Sequence, residues 1–326
     1  MLPRTDVPLA PLTTLRLGGP ARTLLVCESA ADLVEAVRAH PDAFVLGGGS
    51  NVVLPDAGLD EVVLVRNRGL SGLSAEAGES WDELVTHTLA EGYVGLEALS
   101  GIPGTVGAGP IQNIGAYGAE LSSCLSSVLV YDTASGTEVE LTVAECGFGY
   151  RHSRFKATPG RWVVLSVRLS LERGTLSAPV RYAELAATLD VAVGDRAPVA
   201  DVREAVLALR RGKGMVLDPA DPDSVSAGSF FTNPLVPVAP PGAPSWPDPS
   251  GLVKVSAAWL VEHSGFGKGW GDGRAGLSSK HVLALVNRGG ATTAEVLALA
   301  RQVRDGVRAT FGITLVNEPV IVGGEL

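Results

Sequence analysis

Cysteine is scarce: Cys27, Cys124 and Cys146 are the only three in 326 residues, odd in number and far apart. That excludes a disulfide framework and a cysteine-based zinc knuckle, and it points to a reducing compartment. Histidine is almost as sparse. His40, His87, His152, His263 and His281 lie far apart, form no i, i+4 pair and have no cysteine cluster nearby, so no metal site is expected. No apolar run reaches the roughly 18 residues that a membrane helix needs, and residues 1–6 show no charged region leading into an apolar core, so neither a span nor a secretory leader is expected. Basic charge is in deficit, with 26 Lys and Arg against 35 Asp and Glu, a net charge of -9. A general nucleic-acid or anionic-membrane surface is therefore excluded, and any anionic ligand must meet a local basic pocket. A soluble, cytoplasmic protein is the expectation, with neither nucleic acid nor membrane as partner.

Glycine is in surplus. The chain has 40, nearly twice the usual share of about 7%. Six of them fall between residues 101 and 118, in Gly-Ile-Pro-Gly-Thr-Val-Gly-Ala-Gly-Pro-Ile-Gln-Asn-Ile-Gly-Ala-Tyr-Gly. A helix through that run is implausible, and such density is expected where the backbone takes positive φ or approaches a ligand. Exposed N–H groups in such loops form anion-binding nests. A second loop, Gly47-Gly48-Gly49-Ser50-Asn51, lies between the apolar runs 43–46 and 52–54 and reads as strand, loop, strand. A Rossmann site is rejected, because its glycine fingerprint opens a helix and here β-branched residues and a proline follow.

The length suggests about two domains. Residues 29–39 read as an amphipathic helix capped by Ser29 with Asp32 three positions on, and residues 80–92 as a helix capped by Ser80. Alternation at 125–131, 137–141 and 162–171 predicts strands of a mixed sheet. Helices are expected over 202–210, where Arg210 and Arg211 suit the negative helix end, and over 257–264 and 293–311. Residues 233–251, with seven prolines and no periodic face, read as a surface insertion, and residues 315–322 as a closing strand. The fold class is α/β, in its α+β form.

Four segments offer chemistry, each with a plainer alternative. Residues 149–156 place Tyr150, Arg151, His152, Arg154 and Lys156 together, as a solvated turn or as a planar guanidinium fork for a carboxylate or developing enolate. Ser229, between Gly228 and two phenylalanines, is a turn serine or a proton donor; the nucleophile-elbow pattern lacks its second glycine. Glu318 either alternates out to solvent or faces a cleft. Lys213 is a helix-end charge or a phosphate clamp.

Together these pieces resemble the UDP-N-acetylenolpyruvoylglucosamine reductase (MurB) family. The resemblance is carried by residues 13–21, both glycine loops, Tyr150-Arg151, Gly228-Ser229-Phe230-Phe231, Asn233-Pro234 and Glu318, and it spans nearly the whole chain. It implies an FAD-binding fold of the vanillyl-alcohol-oxidase type, divided as 1–66 and 67–200, with an α+β substrate domain over 201–326. FAD would be held by Gly47, Gly48, Gly49, Ser50 and Asn51, and by Gly101, Gly104, Thr105, Gly107, Asn113, Gly115 and Ala116. Hydride from NADPH would be stored on the flavin and delivered to C3 of the enolpyruvyl group. That leaves an enolate-like anion, for which Arg151 and Glu318 match the family positions, with Ser229 as proton donor to C2. Lys213, Asn233 and Tyr182 are implied near the nucleotide diphosphate and sugar, and Tyr117, Tyr150 and His281 are further substrate candidates. Tyr182, in residues 178–185, resembles the substrate-covering loop of the type I subgroup. The product would be UDP-N-acetylmuramate for peptidoglycan synthesis, and a monomer is expected. The competing readings are a flavin oxidase of the same fold and a degenerate flavin- or nucleotide-binding protein.

Overall fold

The computed structural model describes residues 2–326 and divides into two compact units. The first comprises the chain up to Val7, Ala21–Gly48 and Leu59–Arg211; the second comprises Pro8–Pro20, Gly49–Gly58 and Gly212–Leu326.

In the first unit, strands Pro20–Cys27, Leu59–Val65 and Phe44–Leu46 pair in parallel, with Leu24 opposite Val62 and Leu46 opposite Leu64. Val62, Val63, Leu64 and Val65 are all buried, the continuous apolar run of a parallel strand covered on both faces. Helix Ala30–Ala39 carries the expected capping box, with Ser29 Oγ accepting from Asp32 N–H and Asp32 accepting from Ser29 N–H, both at 3.0 Å. A second sheet runs in the order Thr137–Thr142, Leu125–Asp132, Trp162–Leu169, Ser74–Glu76, Leu70–Ser71. Its pairs are all antiparallel, correcting the expected mixed sheet. The physical reason lies in the short turns of 133–136 and 72–73, too short for a parallel crossover.

Helix Trp81–Ala90 starts where expected, yet Ser80 makes no side-chain cap; its N–H donates to Glu79 Oε1 at 2.9 Å. Trp81 is buried among Leu84, Val85, Val128 and Leu165, with its indole N–H donating to Leu99 O at 2.9 Å. Helices Ala183–Leu189 and Val199–Gly212 form a smaller core of Val180, Leu185, Val202 and Val206.

The second unit centres on an antiparallel sheet ordered Ser226–Ser229, Ala284–Asn287, Ala275–Leu277. Helix Thr293–Phe311 is bounded by a Thr292/Glu295 capping box and by Gly312 at φ 68. Val296, Leu297, Ala300, Val303 and Val307 are buried on its apolar face, as the period predicts.

Two expectations need correction here. Residues 233–251 contribute Leu235–Val236 and Ser245–Pro247 to a three-stranded antiparallel sheet whose middle strand is Val253–Val255. The closing strand is also far shorter than 315–322. Only Val320–Ile321 is strand, parallel to Val52–Val53, and Asn317 makes an isolated bridge to Phe231. Pro319 has no N–H to extend a ladder. Among the described residues, no helix is long and apolar enough to cross a membrane.

Candidate functional site

In the first unit the two glycine loops meet backbone to backbone. A Cβ on Gly48 would lie 2.6 Å from Gly104 Cα and 2.9 Å from Thr105 N, so only glycine permits the approach. Gly47 sits beside Thr105, whose Oγ1 is buried with no hydrogen-bond partner in the protein. Arg66 donates to the carbonyls of Gly47 at 3.2 Å and Val65 at 2.7 Å, and burial pulls its guanidinium below the ordinary arginine range. Gly107 packs on Ala77, where a Cβ would come within 2.6 Å of the alanine methyl.

Not every glycine N–H in the loop faces a ligand. Gly101 N–H donates to Asp82 Oδ1 at 2.7 Å, and Asp82 also takes a two-pronged bond from Arg203 at 2.9 and 2.8 Å. Burial acts to raise the Asp82 carboxyl, but these donors outweigh it and hold it low. Gly107 N–H is likewise committed to Ala77 O at 2.9 Å.

Asn113 works as a brace. It is buried at φ 48, donates to Glu120 Oε2 at 2.9 Å and Gly149 O at 3.2 Å, and accepts from Ser122 N–H at 2.9 Å. Its grip on Gly149 fixes the turn that presents Tyr150 and Arg151. Arg151 itself lies in the left-handed region at φ 51, an uncommon conformation for a non-glycine residue. Its guanidinium donates to Gly115 O at 3.1 Å and lies 5.7 Å from the Tyr150 ring centre, and Lys156 Nζ donates to its carbonyl at 3.2 Å. Gly115 and Ala116 form one strand of a tight pairing with Ala119–Glu120. The turn reading of residues 149–156 is thus half right: His152 is exposed, whereas Arg151 is held and half-buried.

Tyr117 and the exposed Tyr182 meet edge to face at 5.5 Å. Burial pushes the Tyr117 hydroxyl up to about 12. Arg210, read from sequence as a helix-end charge, is 8% exposed. Burial lowers it to about 10, against the opposing pull of Tyr117 and Asp82. Like Arg66, it is a basic group the sequence reading missed, because its neighbours are distant in the chain.

In the second unit, Ser229 Oγ is 3.1 Å from His281 Nε2. Gly228, at φ +69, turns the strand just before the serine. Phe230 then bonds on both sides, its N–H to Leu283 O at 2.7 Å and its C=O to Glu318 N–H at 2.8 Å. Asn51 Nδ2 reaches Glu318 O at 3.4 Å, and Asn51 O accepts from Val320 N–H at 3.0 Å. The unit therefore gathers Asn51, Ser229, His281 and the half-buried Glu318. Asn233 has a structural task, its Oδ1 accepting from Ala257 N–H at 2.9 Å at the start of helix Ala257–Glu262. Ser50 and Lys213 are half-buried.

A dinucleotide cofactor fits what the first unit provides: a cleared glycine cradle, an orphaned threonine hydroxyl and a pinned guanidinium beside it at Gly47.

Comparison with known proteins gives two family matches, "FAD binding domain" over residues 21–142 and "UDP-N-acetylenolpyruvoylglucosamine reductase, C-terminal domain" over residues 219–322. The chain is 52% identical to the UDP-N-acetylenolpyruvoylglucosamine reductase of Streptomyces avermitilis, over 98% of this chain and 95% of that protein. It is 53% identical to the same enzyme of Salinispora arenicola, over 98% and 96%. The crystal structure of the reductase (MurB) from Thermus caldophilus matches with a TM-score of 0.71 at 28% identity, over 98% of this chain and 99% of that one.

Proposed function

The chain belongs to the UDP-N-acetylenolpyruvoylglucosamine reductase family, and from that premise we propose that it reduces the enolpyruvyl group of UDP-N-acetylenolpyruvoylglucosamine to the lactyl ether of UDP-N-acetylmuramate. The observation that carries this reading is similarity running through both units, at more than half identity over 98% of the chain. FAD is the cofactor and NADPH the hydride source, in the cytoplasm, as a step of peptidoglycan precursor synthesis by a monomer.

Bound FAD supplies hydride storage between the two substrates. The protein does the rest. Gly47, Gly48, Gly104 and Thr105 cradle the cofactor, with Gly49, Ser50, Asn51, Gly101, Gly107, Asn113, Gly115 and Ala116 shaping the loops. Hydride addition to C3 of the enolpyruvyl group places negative charge on C2 and the carboxylate, and the Arg151 guanidinium, held by Gly115 O, is built to receive that charge. A carboxylate beside an enolate would oppose the reaction, so Glu318 takes part protonated or through a donor that it orients. Ser229 gives its hydroxyl proton to C2. Lys213, Tyr182, Tyr117, Tyr150 and Asn233 serve the sugar nucleotide. For Asn233 the role falls to its amide nitrogen, since its oxygen holds Ala257.

Anaerobic stopped-flow absorbance at the flavin band tests the reading. NADPH should bleach the protein faster than NADH does, and the enolpyruvyl sugar nucleotide should then restore the colour. Recovery only on admitting oxygen would instead make the protein an oxidase, and an inert protein would make it a degenerate binder.

A further inference from the structure

The Ser229–His281 pair has a chemistry that a lone serine lacks. A serine hydroxyl is a weak acid, and giving a proton to carbon leaves an alkoxide unless another proton arrives. His281 offers a titratable ring within hydrogen-bond distance of Ser229 Oγ, at 3.1 Å. Its turn is pinned independently of the serine. Ser278 Oγ, fully buried, accepts from the N–H groups of Lys280 at 3.0 Å and His281 at 3.1 Å, and His281 O accepts from Ala284 N–H at 3.0 Å. Ser279 is anchored through its N–H and hydroxyl to Asp223 at 2.9 and 2.6 Å. The ring is thus presented by a rigid turn, the condition for a preorganised proton relay.

We infer that His281 is a positioning and proton-returning residue for Ser229, acting through the serine hydroxyl rather than on the substrate's diphosphate or sugar. The inference rests on Ser229 being the donor to C2. In that step the Ser229 O–H bond breaks as the C2–H bond forms. The Nε2–H bond of the imidazolium breaks as a new O–H bond forms on Ser229. A neutral imidazole remains and regains its proton from water, and no electrons move at either residue. The charged groups on elements packed round the pair include Lys280, ion-paired with Asp221 at 2.8 Å and also near Asp218, then Asp223, held by Ser279, and Glu318, on the segment bonded to Phe230. The share of the pH dependence that belongs to the imidazole is the share that His281→Gln removes.

The test compares His281→Gln and Ser229→Ala with the wild type in separate half-reactions. Bleaching by NADPH should stay within about twofold in both, while reoxidation by the enolpyruvyl substrate slows on the order of 10²-fold. Wild-type reoxidation should decline as pH rises through the imidazole titration, the His281→Gln profile should be flat there, and added imidazole should partly restore His281→Ala. Wild-type reoxidation in His281→Gln together with slow reoxidation in Ser229→Ala overturns the relay and leaves Ser229 as donor. Wild-type reoxidation in Ser229→Ala overturns the donor reading itself. A readout free of turnover is the NMR titration of the His281 ring in the holoprotein: Ser229→Ala should move its midpoint, and an unmoved midpoint refutes the coupling even if the His281 variants do not fold.

Discussion

Two glycine-rich stretches of this chain look alike on paper and are built on opposite principles. Around Gly48 and Gly104 the missing Cβ lets two backbones touch, and no side chain could be accommodated without moving main chain. Around residues 265–277 a Cβ on Gly265, Gly267 or Gly269 would meet nothing within 4 Å. There the loop is closed by backbone bonds, Gly269 N–H to Ser278 O at 3.0 Å and Leu277 N–H to Trp270 O at 2.8 Å, and by the side chain of Arg288, which lies over Gly276 and whose guanidinium donates to the carbonyls of Gly269 at 2.8 Å, Leu277 at 3.3 Å and also Gly271. Glycine content alone does not separate a close approach from a turn. Close approach marks a place where a ligand's flat or charged face can come near the main chain.

The contrast can be broken by substitution. Gly48→Ala carries the largest expected effect: overpacking against fixed backbone costs about 1–3 kcal/mol, and the purified protein should lose its flavin absorbance per mole. A fully flavinylated Gly48→Ala protein of unchanged urea midpoint would end the claim that backbone closes this loop. Arg288→Gln should be milder, about 1 kcal/mol for partly solvated hydrogen bonds, with faster amide exchange confined to residues 269–277. Exchange that stays slow there would mean the loop holds its own shape.

A third kind of closure, by charge, sharpens the comparison. Arg161 donates twice to Asp132 at 2.9 Å and holds its carboxyl down at about 2. With the folded value depressed below the ordinary 3.8, the pair contributes stability above that range and loses it as pH falls through about 2. Asp132→Asn should therefore flatten the fall of Tm with acid in that window, and an unchanged acid profile would show that the pair is inert. The smallest effect belongs to Gly267→Ala. With open space and no positive φ, it should stay within about 0.5 kcal/mol, on the stabilising side.

What could be read from the chain follows the range of the forces involved. The Ser29/Asp32 box and the helix Thr293–Phe311 are local: a cap and a 3.6-residue period lie within one stretch of sequence. The glycine loops were legible because their chemistry resides in the residue type itself. The strands at Leu235–Val236 and Ser245–Pro247 were not, since two or three residues are too few to show alternation. Ser80 has the residue type of a cap without its bond; its own N–H goes to Glu79 Oε1. Arg210 and the Ser229–His281 bond are tertiary facts. The latter joins residues 52 apart, a separation that leaves no trace in composition or periodicity.

The interleaving of the two units also sets a timetable for synthesis. Pro8–Pro20 and Gly49–Gly58 emerge early but belong with Gly212–Leu326. Thr293 Oγ1 bonds to Leu54 O at 2.6 Å, and Val320 pairs with Val52. At about 5–20 residues per second, the early segments wait roughly eight to forty seconds for the start of their partner stretch. During that interval Leu15, Leu17, Val53 and Leu54, all buried in the finished protein, lack most of the side chains that cover them. The first unit, whose longest stretch ends at Arg211, can close before the second has its sheet, so the cradle of Gly47, Gly48 and Gly104 can form before Ser229, His281 and Glu318 have all emerged.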